Sequence, residues 1–154
     1  MSPFRKDLGF PIGLFYHTHA SRLHLFLSTS LSLQDEKGCV ALHGACTYGH
    51  LECAKALLGA GADINKQNNN GWTPLIQAAI SGRIEVVREL LKQGANINKQ
   101  AKYGDTPLMY AAKHRHIEVV TELLKHGANK ALKNKYGKTA YDRTFNEEIK
   151  ALLR

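Results

Sequence analysis

Gly38, Gly71, Gly104 and Gly137 stand 33 residues apart, and so do Gly61, Gly94 and Gly127. The pairs Leu57-Leu58, Leu90-Leu91 and Leu123-Leu124 keep the same step, as do Glu52, Glu85 and Glu118. Several unrelated residue types sharing one period mean that a single small unit is built again and again. That excludes most globular folds at once. A unit of this size cannot bury its apolar side alone, so its copies must stack.

The middle unit shows what is stacked. Thr73 is placed to cap a helix, and Pro74 suits its first position. Leu75, Ala78 and Ala79 follow at helical spacing and give one apolar face. Gly82 stops this helix in the left-handed conformation. A second helix from about Ile84 carries Val87, Leu90 and Leu91 on its buried stripe, and Gly94 ends it. The polar stretch from Asn96 to Gly104 reads as an exposed loop or hairpin. Helices this short are marginal in isolation, which needs about 12–15 residues.

The run Gly71-Trp72-Thr73-Pro74-Leu75 with Ala78-Ala79, Gly82 and Gly94-Ala95-Asn96-Ile97-Asn98 resembles an ankyrin repeat. Gly104-Asp105-Thr106-Pro107-Leu108 with Gly127-Ala128-Asn129 is a second copy, and Gly38-Cys39-Val40-Ala41-Leu42-His43 with Gly61-Ala62-Asp63-Ile64-Asn65 a looser one. The resemblance covers about residues 35–154. It implies an all-α solenoid of stacked helix-turn-helix repeats joined by β-hairpin loops. Its units are about 35–67, 68–100 and 101–133, with a partial capping unit at 134–154, where Gly137-Lys138-Thr139-Ala140 restarts the motif. Three departures stand out. Val40-Ala41 replaces Thr-Pro and leaves the first inner helix uncapped; Arg115 sits where the family prefers glycine; Ile76 and Met109 replace the family histidine that His43 retains.

The formal net charge of +8 favours acidic partners of any kind. From Lys99 onward, twelve Lys or Arg oppose six Asp or Glu, so most of the excess lies in the last third. No apolar run approaches the roughly 20 residues of a membrane span. Three cysteines, an odd number, argue against a disulfide framework and for a reducing setting, cytoplasmic and open to the nucleus.

Cys39, His43, Cys46, His50 and Cys53 form the densest cluster of metal-ligand types. The repeat register accounts for them more simply. Cys46 aligns with Ala79 and Ala112 and Cys53 with Val86 and Val119, which makes both small core hydrophobes. His17, His19 and His24 make only a weak H-x-H pattern. No nucleophile elbow, phosphate loop or dinucleotide fingerprint is present. A non-catalytic protein without metal or cofactor is the expectation.

The resemblance also implies where binding occurs, at hairpin tips and the inner-helix surface. On this chain the tips give Asn69, Asn70, Trp72, Lys102, Tyr103, Asp105, Lys135, Tyr136 and Lys138. The inner helices give Tyr48, Ile80, Ser81, Lys113 and His114, with Gln67, Gln100 and Lys133 leading into the next tip. Aromatics supply contact area at low entropy cost, and lysines steer an acidic partner. The expectation is a monomer binding an acidic protein surface through Trp72, Tyr103 and Tyr136, rimmed by lysines. Nucleic acid is the competing partner class, since lysines with aromatics also suit phosphates and bases, but no dedicated motif supports it. A third reading makes these repeats the targeting arm of a larger protein.

Residues 1–34 are rich in Phe, Leu, Ser and His and lack the motif, although Leu25 and Leu31 fall in register with Leu58 and Ile64. They read as a partly ordered N-terminal extension, with a degenerate capping helix or a targeting segment as alternatives.

Overall fold

A computed structural model describes residues 40–154. The expectations for residues 1–34, for His17, His19 and His24 and for Cys39 fall outside the described residues.

Seven α-helices form the described part: α1 Ala41–Tyr48, α2 Leu51–Gly59, α3 Pro74–Ser81, α4 Ile84–Lys92, α5 Pro107–Lys113, α6 Ile117–Lys125 and α7 Glu147–Leu153, with a 3-10 turn at Tyr141–Arg143 before the last. Inner helices α1, α3 and α5 pack in a row, outer helices α2, α4 and α6 in a second row, and α7 closes the outer row against α6. The architecture is the ankyrin-type solenoid.

Each inner helix starts as its sequence dictates. The hydroxyls of Thr73 and Thr106 accept the backbone N–H of Ile76 and Met109 at 3.2 and 3.3 Å, and Pro74 and Pro107 open the helices. Val40 has no side-chain acceptor, yet α1 does not begin uncapped. The buried His43 supplies half of a capping box, because its Nδ1 accepts the Val40 N–H at 3.3 Å. That leaves the proton on Nε2, which donates to the Trp72 carbonyl at 2.9 Å. One imidazole thus starts a helix and ties it to the next unit. The outer helices have no side-chain cap; Glu52, Glu85 and Glu118 instead place a carboxylate in each first turn, where the helix dipole favours it. This is the physical content of the repeated glutamate.

Leu42, Leu75 and Leu108 of the inner row meet Val86, Val87, Leu90, Val119, Val120 and Leu123 of the outer row in a continuous core. Alanines 78, 79, 111 and 112 are fully buried and let neighbouring units approach. Cys46 joins them as expected, and burial pushes its thiol pKa up to about 12. Cys53 does not. It is exposed, whereas its counterparts Val86 and Val119 are buried. Those valines lie on outer helices that each have another outer helix packed before them, and among the described residues no outer helix precedes α2.

The hairpin loops are shorter than the sequence implies. No strand forms among the described residues. Each loop is closed by one bond across its base: Asn68 N–H to the Trp72 carbonyl at 3.0 Å, Ala101 to Asp105 at 2.9 Å, and Asn134 to Lys138 at 2.9 Å. The side-chain oxygens of Asn68 and Asn134, both buried, accept two further N–H groups each, so an Asx turn replaces a ladder. Tip then bonds to tip, Lys102 N–H to the Asn70 carbonyl and Lys135 N–H to the Tyr103 carbonyl, both at 3.0 Å.

The chain closes on α7. Asn146 caps it through the Ile149 N–H at 3.0 Å, and Ile149 and Leu153 are buried while Glu147 and Glu148 face solvent. Leu152, on the same helix, stays exposed.

Candidate binding face

The tip-to-tip bonds set the tips side by side and fix what they display. Tyr103 and Tyr136 are stacked, their centroids 6.3 Å apart and their planes 28° apart, and they remain 53% and 67% exposed. The two rings pack on one another and still present surface to solvent. Around them Lys102, Lys133, Lys135 and Lys138 are exposed, and none joins an ion pair among the described residues. The exposed carboxylate close to Lys133 and Lys138 is that of Asp142, held below the usual carboxylate range chiefly by the backbone and side chain of Thr139. It accepts the Thr139 N–H and hydroxyl at 2.8 and 2.9 Å and is occupied in forming a turn.

Trp72 stands apart from this pair. It is half-buried, lying edge-on to Tyr110 at 6.0 Å, and its indole N–H donates to the Tyr110 hydroxyl at 2.9 Å. With Ile76, Ala101, Tyr110 and Ile80 it forms a second, small apolar cluster beneath the tips. The sequence had offered Trp72 as an exposed anchor. Its polar atom is already satisfied within the chain, and only part of its ring is open.

Asp105 is a correction. It occupies the tip position of Trp72 one period on, but it is buried. Its Oδ1 accepts from Asn134 Nδ2 at 2.8 Å and its Oδ2 from Arg143 Nη2 at 3.1 Å. Both carboxylate oxygens are thus engaged in tying the third tip to the fourth tip and to the 3-10 turn. A carboxylate so enclosed is a brace, and the sequence could not distinguish it from an exposed tip residue because its partners lie 29 and 38 positions away.

Asn69 and Asn70 are exposed on the second tip. Gln67 and Gln100 hold neighbouring loops together, each amide donating to its own loop (Gly71 or Gly104) and to the next (Gln100 or Lys133) at 2.7–3.1 Å. Their place leading into the tips is structural.

At the far end of the inner helices lie Tyr48, Ile80, Ser81, Lys113 and His114. Tyr48 is 69% exposed, Ile80 and Ser81 half-buried, and Lys113 and His114 exposed. The turns there follow a rule visible only in three dimensions. Arg83 reaches back to donate from Nε to the Thr47 carbonyl at 3.0 Å, and His116 repeats this one unit on, its Nε2 lying 2.9 Å from the Ile80 carbonyl. Each reaching side chain passes over a left-handed glycine of the preceding turn. A Cβ on Gly49 would stand 2.9 Å from Arg83 Cδ, and one on Gly82 would stand 2.5 Å from the His116 ring. Glycine is required twice over, by its positive φ and by the side chain above it.

The third turn breaks the rule. Arg115 holds φ at +62°, the one non-glycine residue with positive φ among the described residues, at a cost of about 1–2 kcal/mol. The position one period after His116 is Ile149, buried and without a polar group, so nothing reaches back over Arg115, which is exposed. His114 and His116 stack alongside at 6.3 Å, and burial, then the Lys113 charge, then His116 and Arg143 hold the His114 pKa below its ordinary value.

No group of metal ligands gathers among the described residues, where Cys46 lies in the core and Cys53 on the surface. No described helix is long and apolar enough to cross a membrane.

A scan against protein-family models matches residues 15–101 to ankyrin repeats in three copies and residues 90–143 to ankyrin repeats in many copies. The first match begins upstream of residue 35, where the 33-residue period becomes visible. A search of curated proteins returns no match. Ankyrin repeats generally mediate protein binding and are typically non-catalytic. With the two matches running from residue 15 to residue 143 over the stacked helix pairs described above, the chain belongs to the ankyrin repeat family.

Proposed function

We propose that the chain is a monomeric, non-catalytic adaptor of the cytoplasm and nucleus that binds an acidic surface of another protein through the tips of its third and fourth units. The observation that carries this reading is the stacked Tyr103–Tyr136 pair, still more than half exposed, amid lysines that form no ion pair among the described residues. Two rings held rigid by tip-to-tip bonds offer contact area with little entropy left to lose, and unpaired lysines speed the encounter with negative charge. Lys102, Lys133, Lys135 and Lys138 form the rim; Asn69, Asn70 and the open edge of Trp72 extend it to the second unit, and Ile80, Ser81, Lys113 and His114 continue it down the inner helices.

The test is affinity capture followed by mass spectrometry, then titration of each recovered protein. Tyr103→Ala with Tyr136→Ala should weaken binding at least tenfold, and Lys102→Ala with Lys135→Ala should slow association and flatten its salt dependence. Unchanged affinity in both double variants would remove this face from consideration. The same tyrosines and lysines suit single-stranded nucleic acid, so a gel shift at low and physiological salt accompanies the capture. Retardation that persists at physiological salt would favour nucleic acid as the partner.

A further inference from the structure

We infer that the α5–α6 turn, Lys113-His114-Arg115-His116, is a second contact for acidic side chains of a partner protein, with Arg115 as its principal contact residue. The inference rests on the acidic-partner reading above and extends that face from Lys113 and His114 to Arg115 and His116.

Two independent observations meet at this turn. The first is its backbone. The equivalent turns use Gly49 and Gly82, which the reaching side chains of Arg83 and His116 require. Arg115 adopts the same left-handed φ without that compulsion and without any benefit to the turn itself, since glycine would hold it with less strain. No ion pair or side-chain hydrogen bond inside the described chain engages its guanidinium, so the intramolecular structure gains nothing from the side chain. What a solvent-facing arginine does offer is a permanently charged donor fork suited to carboxylates.

The second is the company it keeps. Lys113, His114 and His116 surround it, and Arg143 lies near enough to act on the His114 charge. On the packed elements, Asp105 offsets Arg143 but forms no ion pair with Lys113 or Arg115. Asp105 is buried and committed to Asn134 and Arg143, while Glu118, on the first turn of α6, forms no ion pair. The turn's standing positive charge is carried by Lys113 and Arg115, neither of which forms an ion pair among the described residues.

Its place suits one partner touching both regions. Helix α5 starts at the base of the Tyr103 tip and ends at this turn, and its seven residues span roughly 10 Å. A partner seated on the tips needs to extend only that far to bring carboxylates to Arg115.

The test uses the full chain and a short fluorescent polyglutamate peptide as the probe, read by anisotropy at low salt. Binding should weaken about two- to fivefold in Arg115→Gly. The same variant should melt no lower than the parent, because glycine relieves the turn. Arg115→Lys should keep most of the affinity, and Lys125→Ala, which removes an equal charge from the far end of α6, should change nothing. Loss of affinity without loss of stability, confined to Arg115→Gly, supports the contact. The inference is overturned if the parent does not bind the probe, if Arg115→Gly binds as well as the parent, or if Lys125→Ala weakens binding equally, which would reduce the effect to net charge. The tyrosine pair is scored separately on captured partners. Loss there with Arg115→Gly unaffected sinks this contact alone, and the converse sinks the tip reading alone.

Discussion

The same residue type at the same place in the repeat does different work once its neighbours are known. Cys46 and Cys53 both align with small apolar residues, yet one is sealed in the core with a thiol pushed up to about 12 and the other lies on the surface. Reactivity follows the thiolate, so the two must diverge in chemistry. A mild alkylating agent applied to the native chain at neutral pH should modify Cys53 within minutes and leave Cys46 untouched until the chain is unfolded, as peptide mapping would show. Modification of Cys46 at a comparable rate would mean that α1 opens readily. The register located both cysteines, but a periodic pattern reports what an average unit buries and is silent about what packs against each copy among the described residues. The same blindness explains Asp105, whose enclosure depends on Arg143 and Asn134 from later units.

At the scale of elements, local signals were the most legible part of the sequence. Thr73-Pro74 and Thr106-Pro107 start helices as their chemistry requires, and Gly82 stops one. Val40 cannot accept a hydrogen bond, which predicts an uncapped first unit, whereas His43 caps from inside the helix. The turn-rich loops predict hairpins, but Asx turns at Asn68 and Asn134 close them before strands develop. The strongest unread connection is the Asp105 brace. Replacing Asp105 by alanine should cost about 2–4 kcal/mol by stranding the Arg143 guanidinium and the Asn134 amide in a mostly buried site. Chemical denaturation would measure this, and a loss below about 0.5 kcal/mol, the range of ordinary surface changes, would contradict the brace. The candidate face was half legible: Tyr103, Tyr136 and the tip lysines followed from the family resemblance, as did the place of Arg115 at a glycine position, while Tyr110 under Trp72 emerges only when the turns are seen stacked.

For the molecule as a whole, titration links the turn to stability. The folded chain holds His114 below its ordinary pKa, so the unfolded chain binds that proton first as the pH falls. Stability should therefore decline as acidification passes the ordinary imidazole value of about 6.5, and this decline should level off below the depressed folded value. His114→Gln should flatten that part of the melting-temperature profile without abolishing the transition, and an identical profile in the variant would remove His114 as the source. The back-reaching side chains have a larger consequence. The carbonyls of Thr47 and Ile80, like the tip carbonyls of Asn70 and Tyr103, find their partners only in the unit that follows. During synthesis, which proceeds from the N-terminus, each unit thus leaves the ribosome with its last acceptors bare and is locked one unit late. Maturation of the stack on the ribosome should lag emergence by about 33 residues, so a translational pause between units would hold the youngest one in a state open to chaperones or to early partners.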